Sequence, residues 1–153
     1  SLQLLPPTHS PKAVGDVKVS IKDCLKSVSN LTERNKWDAH TEIYDVVEKL
    51  DDTYEIVHTA ISGWGPISPR NFISIRGLRQ EKKKFAKLVQ VSVDYPFDSG
   101  KYVTGVTHPS GWIFQFKEPK LTTVHYIGKC WFNLEANCGS WSGFGRLGST
   151  LSN

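Results

Sequence analysis

Alternation of apolar and polar residues after Trp37 is the feature that most constrains how this 153-residue chain can fold. Successive side chains of a β-strand point to opposite faces of a sheet, so a period of two indicates strands. The pattern recurs between short segments bounded by Gly, Pro, Asp or Lys, and it predicts about seven strands. These lie near residues 44–50, 54–61, 72–78, 85–94, 101–107, 111–116 and 122–132.

Short turns between neighbouring strands favour an antiparallel sheet, and such a sheet needs its apolar face covered. Upstream, Val17, Ile21, Leu25 and Val28 recur at helical spacing and predict a short N-terminal helix. The residues therefore predict an α+β fold, in which a helix grips the sheet or a ligand fills the space beside it.

The two ends of the chain differ in composition from the strand region. Residues 1–16 contain several prolines among small polar residues and are predicted to form a flexible leader. Residues 137–153 are rich in Gly and Ser and predict an irregular tail. The folded domain is expected to span residues 17–136, and the absence of methionine indicates a processed product or a piece of a longer protein.

Composition is that of an ordinary single globular domain, with 39% hydrophobic and 22% charged residues. No apolar run approaches the roughly 20 residues that a spanning helix needs. Cys24, Cys130 and Cys138 form an odd set without metal-type spacing, which predicts free thiols in a reducing compartment. A cytoplasmic protein is expected.

Candidate catalytic and metal motifs lack their structural context. The G-x-G-x-x-G string at residues 143–148 has no acidic partner or helix after it. The five histidines lack ligand spacing, so no metal, cofactor or enzymatic activity is predicted. His58 and His125 lie within predicted strands, where an imidazole faces either a ligand pocket or the solvent.

Basic residues cluster around a predicted hairpin turn. The cluster comprises Arg76, Arg79, Lys82, Lys83, Lys84 and Lys87. Either it forms a membrane-facing patch for anionic lipid headgroups, with Arg79 and Lys82 to Lys84 at its centre, or it is a solvated strand end that prevents edge pairing. No recognition signature accompanies it, so no nucleic acid partner is expected.

One predicted strand carries three aromatic residues on one face, namely Trp112, Phe114 and Phe116. Such a stripe forms packed core in a solid fold. In a hollow sheet the same rings become the wall of a pocket. Both interpretations stand at the level of sequence.

Five short segments occur in an order and spacing that resemble a known family. They are residues 34–38, 49–61, 67–72, 91–94 and 109–112. Together they resemble START domains, a family of lipid-binding domains, over about residues 17–132. The resemblance implies a helix-grip fold, in which a curved antiparallel sheet surrounds a hydrophobic tunnel closed by a C-terminal helix.

The resemblance also implies a function. Members bind one lipid, such as a phospholipid, sterol or sphingolipid, and touch membranes transiently; a non-catalytic monomer is expected. The alternatives are a ligand-binding domain associated with an acyl-CoA thioesterase or a cyclase, and a truncated regulatory or interaction module. Neither the first helix nor the lid helix of the family has a clear counterpart in this sequence.

Candidate site residues follow from the same resemblance. Arg34 is expected to contact a lipid phosphate beside Trp37, with Asp38 holding the arginine; the alternative is a structural ion pair. Arg70 is expected to be mainly architectural. Asn71 stands where the family usually has aspartate, so a neutral hydrogen bond is expected there in place of a buried ion pair.

Overall fold

The computed structural model describes residues 12–63, 65–128 and 130–131. Its elements are, in chain order, β1 (Lys12–Val17), α1 (Ile21–Ser29), α2 (Leu31–Arg34), β2 (Thr41–Lys49), β3 (Tyr54–Ile61), β4 (Arg70–Glu81), β5 (Phe85–Ser92), β6 (Val103–Thr104), β7 (Val106–Thr107), β8 (Ser110–Glu118), β9 (Leu121–Ile127) and β10 (Cys130–Trp131).

Eight of these strands form one sheet, which confirms the predicted α+β class. Seven lie in the order β1-β9-β8-β5-β4-β3-β2, and all neighbours in that path are antiparallel. The short β6 pairs in parallel with β4, while β7 and β10 form a separate two-stranded sheet. The sheet is open and curved, with β1 and β2 at the ends of its hydrogen-bonded path.

The predicted leader is partly wrong, because residues 12–16 belong to β1. They pair with β9 in continuous register from Lys12 opposite Ile127 to Val17 opposite Thr122. Local composition could not reveal this strand, since its partner lies more than a hundred residues later in the chain. Residues 1–11 and the predicted tail at 137–153 lie outside the described residues.

The predicted N-terminal helix is confirmed as α1 from Ile21 onward, whereas Val17, which was expected on its apolar face, belongs to β1; polar caps define the ends of α1. The Ser20 side chain accepts a hydrogen bond from the Asp23 backbone N–H at 3.2 Å. Asn30 ends α1 and also caps α2, because its side chain accepts from the Glu33 N–H at 3.1 Å. Such caps satisfy backbone donors that have no partner within the helix.

The two faces of the sheet carry different surroundings. We call the side that carries Trp112, Phe114 and Val124 the helix face, because these residues share a core with Cys24 and Val28 of α1. Alternate residues of the same strands point to the opposite side, which we call the outer face. The buried residues of this shared core are Val17, Cys24, Val28, Trp37, Ala86, Leu88, Trp112, Phe114, Val124 and Tyr126.

Candidate functional site

Tyr44 on β2 is the centre of a cluster on the helix face. The guanidinium carbons of Arg34 and Arg76 lie over its ring, 5.0 and 5.1 Å from the ring centre. Arg34 also lies 5.5 Å from the Trp37 ring. An aromatic face attracts a cation, and burial strengthens that attraction. The fold thus holds two positive charges beside one buried tyrosine.

Arg76 is buried, with 6% of its surface exposed. It is the cross-strand partner of Glu55, whose Oε1 accepts hydrogen bonds from Nε, at 2.7 Å, and from Nη2. Burial opposes the charge, but Tyr44 and Glu55 outweigh it, so the pKa of Arg76 is raised. The third nitrogen, Nη1, is buried without a hydrogen-bond partner among the described residues.

Arg34 and Asp38 form the ion pair that the family resemblance implied. Arg34 Nε lies 3.2 Å from Asp38 Oδ2, and its Nη1 donates to the Val28 carbonyl at 3.3 Å. Asp38 Oδ2 also accepts from the Thr41 hydroxyl at 2.8 Å. The pair therefore links the end of α1 to the start of β2. Arg34 also shares the Tyr44 ring with Arg76.

Trp37 connects the arginine cluster to the core. Its indole N–H donates to the carbonyl and the hydroxyl oxygen of Ser27, at 3.2 and 3.1 Å. Its ring meets Trp112 edge-on, with centres 6.2 Å apart. Trp112 in turn stacks on Phe114. Trp112 and Phe114 are thus packed core beneath the helices, and Phe116 farther along β8 is half-buried.

His58 lies on the outer face, away from this cluster. It is buried under Phe97, with ring centres 4.5 Å apart, and its Nε2 lies 3.5 Å from Asn71 Nδ2. Burial lowers the pKa of His58, and Asp45 partly opposes that shift. Of the two orientations that the sequence left open, the solvent-facing one does not hold for His58, because Phe97 packs on its ring.

The Arg-Asn turn at the start of β4 is also buried. Arg70 donates from Nη1 to the Ser68 carbonyl at 3.0 Å, while its Nε has no partner among the described residues. Arg70 and Arg76 share a face of β4 but lie six residues, or about 20 Å, apart. Asn71 is fully buried and contacts His58, as the expected neutral interaction requires.

An open apolar groove of about 390 Å³ lies on the outer face. Its lining includes Ile75, Val89, Ile113 and Ile127, and His125 is one of few polar residues there. His125 therefore faces a groove, although this groove lies on the opposite side of the sheet from the arginine cluster.

Cys24 is a buried free thiol, in agreement with the sequence prediction. Burial is the main reason that its pKa is raised to about 12. The side chains of Cys130 and Cys138 lie outside the described residues. Within the described residues, no group of three or more His, Cys, Asp and Glu could hold a metal ion, and no helix is long and apolar enough to cross a membrane.

Sequence reasoning missed three residues of the cluster. Tyr44 and Glu55 were read only as strand residues, and Arg76 was grouped with the exposed basic patch, which is wrong because it is buried. The available signal was a charged residue at an inward position of an apolar strand, on both β3 and β4. The patch residues Arg79 and Lys82 to Lys84 are exposed around the β4–β5 turn.

A comparison with known families matches the START domain over residues 1–142. The chain belongs to the START domain family. Over 85 residues it is 31% identical to StAR-related lipid transfer protein 6 of Homo sapiens, which corresponds to 53% of this chain and 39% of that relative. The chain thus spans about two fifths of the length of this relative.

Solved structures agree on the fold. The lipid transfer and protein localization domain of human StarD13 (DLC2) superposes with a TM-score of 0.76 at 23% identity, covering 92% of this chain and 75% of that domain. The Zhui aromatase/cyclase from Streptomyces sp. R1128 gives a TM-score of 0.56 at 11% identity, covering 86% and 72%. The helix-grip fold is therefore confirmed, and the same fold occurs in a lipid transfer domain and in a cyclase.

Proposed function

We propose that this protein is a non-catalytic monomer that binds a single phospholipid, sterol or sphingolipid and carries it between membranes. Its family and its similarity to a human lipid transfer protein support lipid binding in general. Exposing about fourteen methylenes to water costs on the order of 10 kcal/mol, so a protein that shelters the chain removes most of the barrier to transfer.

The observation that carries the proposal is the buried Nη1 of Arg76, which has no hydrogen-bond partner among the residues that the structure describes. A buried N–H without an acceptor costs about 1–3 kcal/mol. A hydroxyl, carbonyl or phosphate oxygen of a lipid would remove that cost. We therefore infer that the polar end of the lipid meets Arg76 and Glu55 on the helix face, with Arg34, Asp38 and Trp37 alongside.

The outer groove is the competing location. It is open, and its apolar lining offers His125 but no buried charge to anchor a headgroup. The two sites can be separated by mutation, because Arg76 lies on the helix face and Val89 lines the groove.

Native mass spectrometry of the purified chain, combined with extraction of labelled lipid from vesicles, tests the proposal. A one-to-one lipid complex is expected. Arg76→Lys keeps the positive charge but removes the extra donor, and should lower lipid retention; Val89→Thr in the groove should not. A folded chain that neither carries nor extracts any lipid overturns the proposal.

Absence of catalysis is part of the proposal and has its own test. His58 lies beneath Phe97 on the outer face, remote from the arginine cluster, which favours binding over acid–base chemistry at the lipid. Chemical turnover of a bound lipid that disappears in His58→Gln would show an enzyme instead. The cytoplasm is the proposed compartment, and the free thiol of Cys24 agrees with a reducing environment.

A further inference from the structure

Two turns meet at one end of the sheet, and we call residues 79–87 and 117–120 the lysine end. The first segment is the β4–β5 hairpin and the second contains the β8–β9 turn. Pairing of β5 with β8 brings them together, and the Phe116 N–H donates to the Lys84 carbonyl at 2.9 Å. The sequence patch around residues 79–84 thus gains Lys117 and Lys120 as neighbours.

The net positive charge of the chain is concentrated at this end. The lysine end has seven basic and two acidic residues, whereas the chain has 19 basic and 15 acidic residues. Subtraction leaves 12 basic and 13 acidic residues elsewhere, a net charge of −1. All seven basic residues are exposed: Arg79, Lys82, Lys83, Lys84, Lys87, Lys117 and Lys120.

Two features of this end oppose folding. Arg79 lies directly opposite Lys87 in the β4–β5 register, and like charges in that position destabilise a sheet. Lys83 has a φ of 58°, a conformation that favours glycine and costs another residue roughly 1 kcal/mol. The hairpin turn does not require a lysine at the positive φ, and the pairing does not require two like charges, so an anionic partner is the simplest reason for both.

Ion pairs within the fold neutralise only part of the charge. Lys84 pairs with Glu81, and Lys117 pairs with Asp16 at 2.7 Å. Among the described residues, Arg79, Lys82, Lys83, Lys87 and Lys120 form no ion pair with an acidic side chain. Most of the cluster therefore remains available to an external partner.

The arrangement of charged and aromatic residues at the lysine end indicates which kind of anionic partner it binds. The charges lie in two turns and the strand ends beside them, and six of the seven are lysines, which act as point charges rather than as planar forks for single phosphates. The aromatic residues of this end and beside it, Phe85 and Phe116, are half-buried, and Lys87 Nζ lies 4.8 Å from the Phe85 ring centre, so neither ring is fully exposed for stacking with bases. A broad anionic surface fits these features best.

We propose that the lysine end docks the protein on anionic lipid bilayers. The inference goes beyond lipid binding by the helix face, because it concerns the surface that meets the membrane and not the lipid that is carried. Each basic residue near an anionic bilayer contributes about 1 kcal/mol, and several acting together give measurable attachment.

Co-sedimentation with vesicles tests the docking. Wild-type protein should bind vesicles of phosphatidylcholine with phosphatidylserine but not vesicles of phosphatidylcholine alone, and about 1 M salt should abolish binding, since the Debye length is then about 3 Å. Lys82→Glu with Lys87→Glu should weaken binding at least about tenfold. The control, Lys12→Glu with Lys101→Glu, changes net charge equally at the other end of the sheet and should bind as wild type.

Lys83→Gly separates docking from folding. Glycine relieves the positive φ, so this variant should unfold at the same or a higher temperature while it binds phosphatidylserine vesicles more weakly. Equal binding to neutral and anionic vesicles, or equal loss in the two double variants, overturns the proposal. Tighter binding to a single-stranded RNA oligomer than to the vesicles would also overturn it.

Lipid carriage can be read independently on the same variants. Native mass spectrometry should show an unchanged lipid complex in Lys82→Glu with Lys87→Glu, because both residues lie outside the helix-face cluster. If the protein docks on vesicles but carries no lipid, only the carrier proposal is contradicted. If it carries a lipid but does not dock, only the lysine-end proposal is contradicted.

Discussion

Arg76 on β4 and Glu55 on β3 are cross-strand partners that form a buried ion pair on the helix face. The side chains are 7% and 27% exposed. Removal of two charges from water is costly, and a pair of this kind contributes little net stability compared with an apolar pair of similar volume. Its position beside Tyr44, with Nη1 lacking a partner among the described residues, is consistent with the proposed contact to a lipid headgroup.

Replacement of one partner should still destabilise the fold. Glu55→Gln leaves the Arg76 guanidinium buried without a countercharge, and we expect a loss of about 2–3 kcal/mol, below the usual range for fully buried pairs because Glu55 retains contact with water. Denaturant unfolding measures the loss. Asp52→Asn, which removes a partner of the exposed Lys49, should leave the midpoint unchanged; equal midpoints for Glu55→Gln and wild type would contradict the pair's role.

Arg34 offers a test of lipid class. If it contacts a lipid phosphate, Arg34→Gln should weaken phospholipid binding at least about tenfold and sterol binding much less, since an arginine–phosphate contact is charge-assisted. Competition between labelled phospholipid and labelled sterol measures the ratio. Equal loss for both lipids would assign Arg34 to the structural links with Asp38 and the Val28 carbonyl alone.

Burial of His58 makes stability depend on pH. The pKa of His58 is lowered by burial in the folded state, so the unfolded chain binds the proton more readily. The contribution of neutral His58 to stability should therefore be fully present above the unfolded pKa of about 6.5. It should decline as the pH drops below that value, and it should be lost once the pH is below the folded pKa. Asp45, the cross-strand partner, reduces the effect, and Phe97 and Tyr102 add no charge.

Thermal unfolding between about pH 7.5 and pH 5 measures this dependence. His58→Gln should show a shallower loss of midpoint temperature with acidification than wild type, whatever its absolute stability. His40→Gln replaces an exposed histidine and serves as the matched control. Identical slopes for wild type and His58→Gln would remove His58 as the cause.

The predicted elements that were confirmed depend on local patterns. The apolar spacing of α1 and the alternation in β3, β5 and β8 are visible in any short window of sequence. The Arg34–Asp38 pair came from the family resemblance, and its four-residue spacing allows the contact although α2 ends at Arg34.

The elements that were missed depend on register. β1 is recognised only through its pairing with β9, and the burial of Arg76 depends on Glu55, Tyr44 and the strand alignment that brings them together. The surroundings of His58 could not be decided from the sequence, because Phe97, which contacts it, comes from the connection after β5. A period of two says which residues share a face, but it does not say what covers that face.

Cys24 should resist alkylation in the native protein. With a pKa of about 12, roughly one molecule in ten thousand carries the thiolate at pH 8, and burial further blocks the reagent. Cys130→Ser with Cys138→Ser leaves Cys24 as the remaining thiol, so iodoacetamide labelling followed by mass spectrometry reports on it directly. Labelling should require denaturant; modification of the folded chain within minutes would show that α1 opens readily.

Trp37→Phe should weaken the contacts that connect α1 to the arginine cluster. The substitution removes both indole hydrogen bonds to Ser27 and part of the edge contact with Trp112, and we expect a loss of about 2 kcal/mol in denaturant unfolding. Ser27→Ala removes only the hydroxyl acceptor and should cost less than half as much. Because Arg34 lies over the Trp37 ring, Trp37→Phe should also release bound lipid faster than Ser27→Ala does. Equal release rates in the two variants would show that Trp37 has a structural role only.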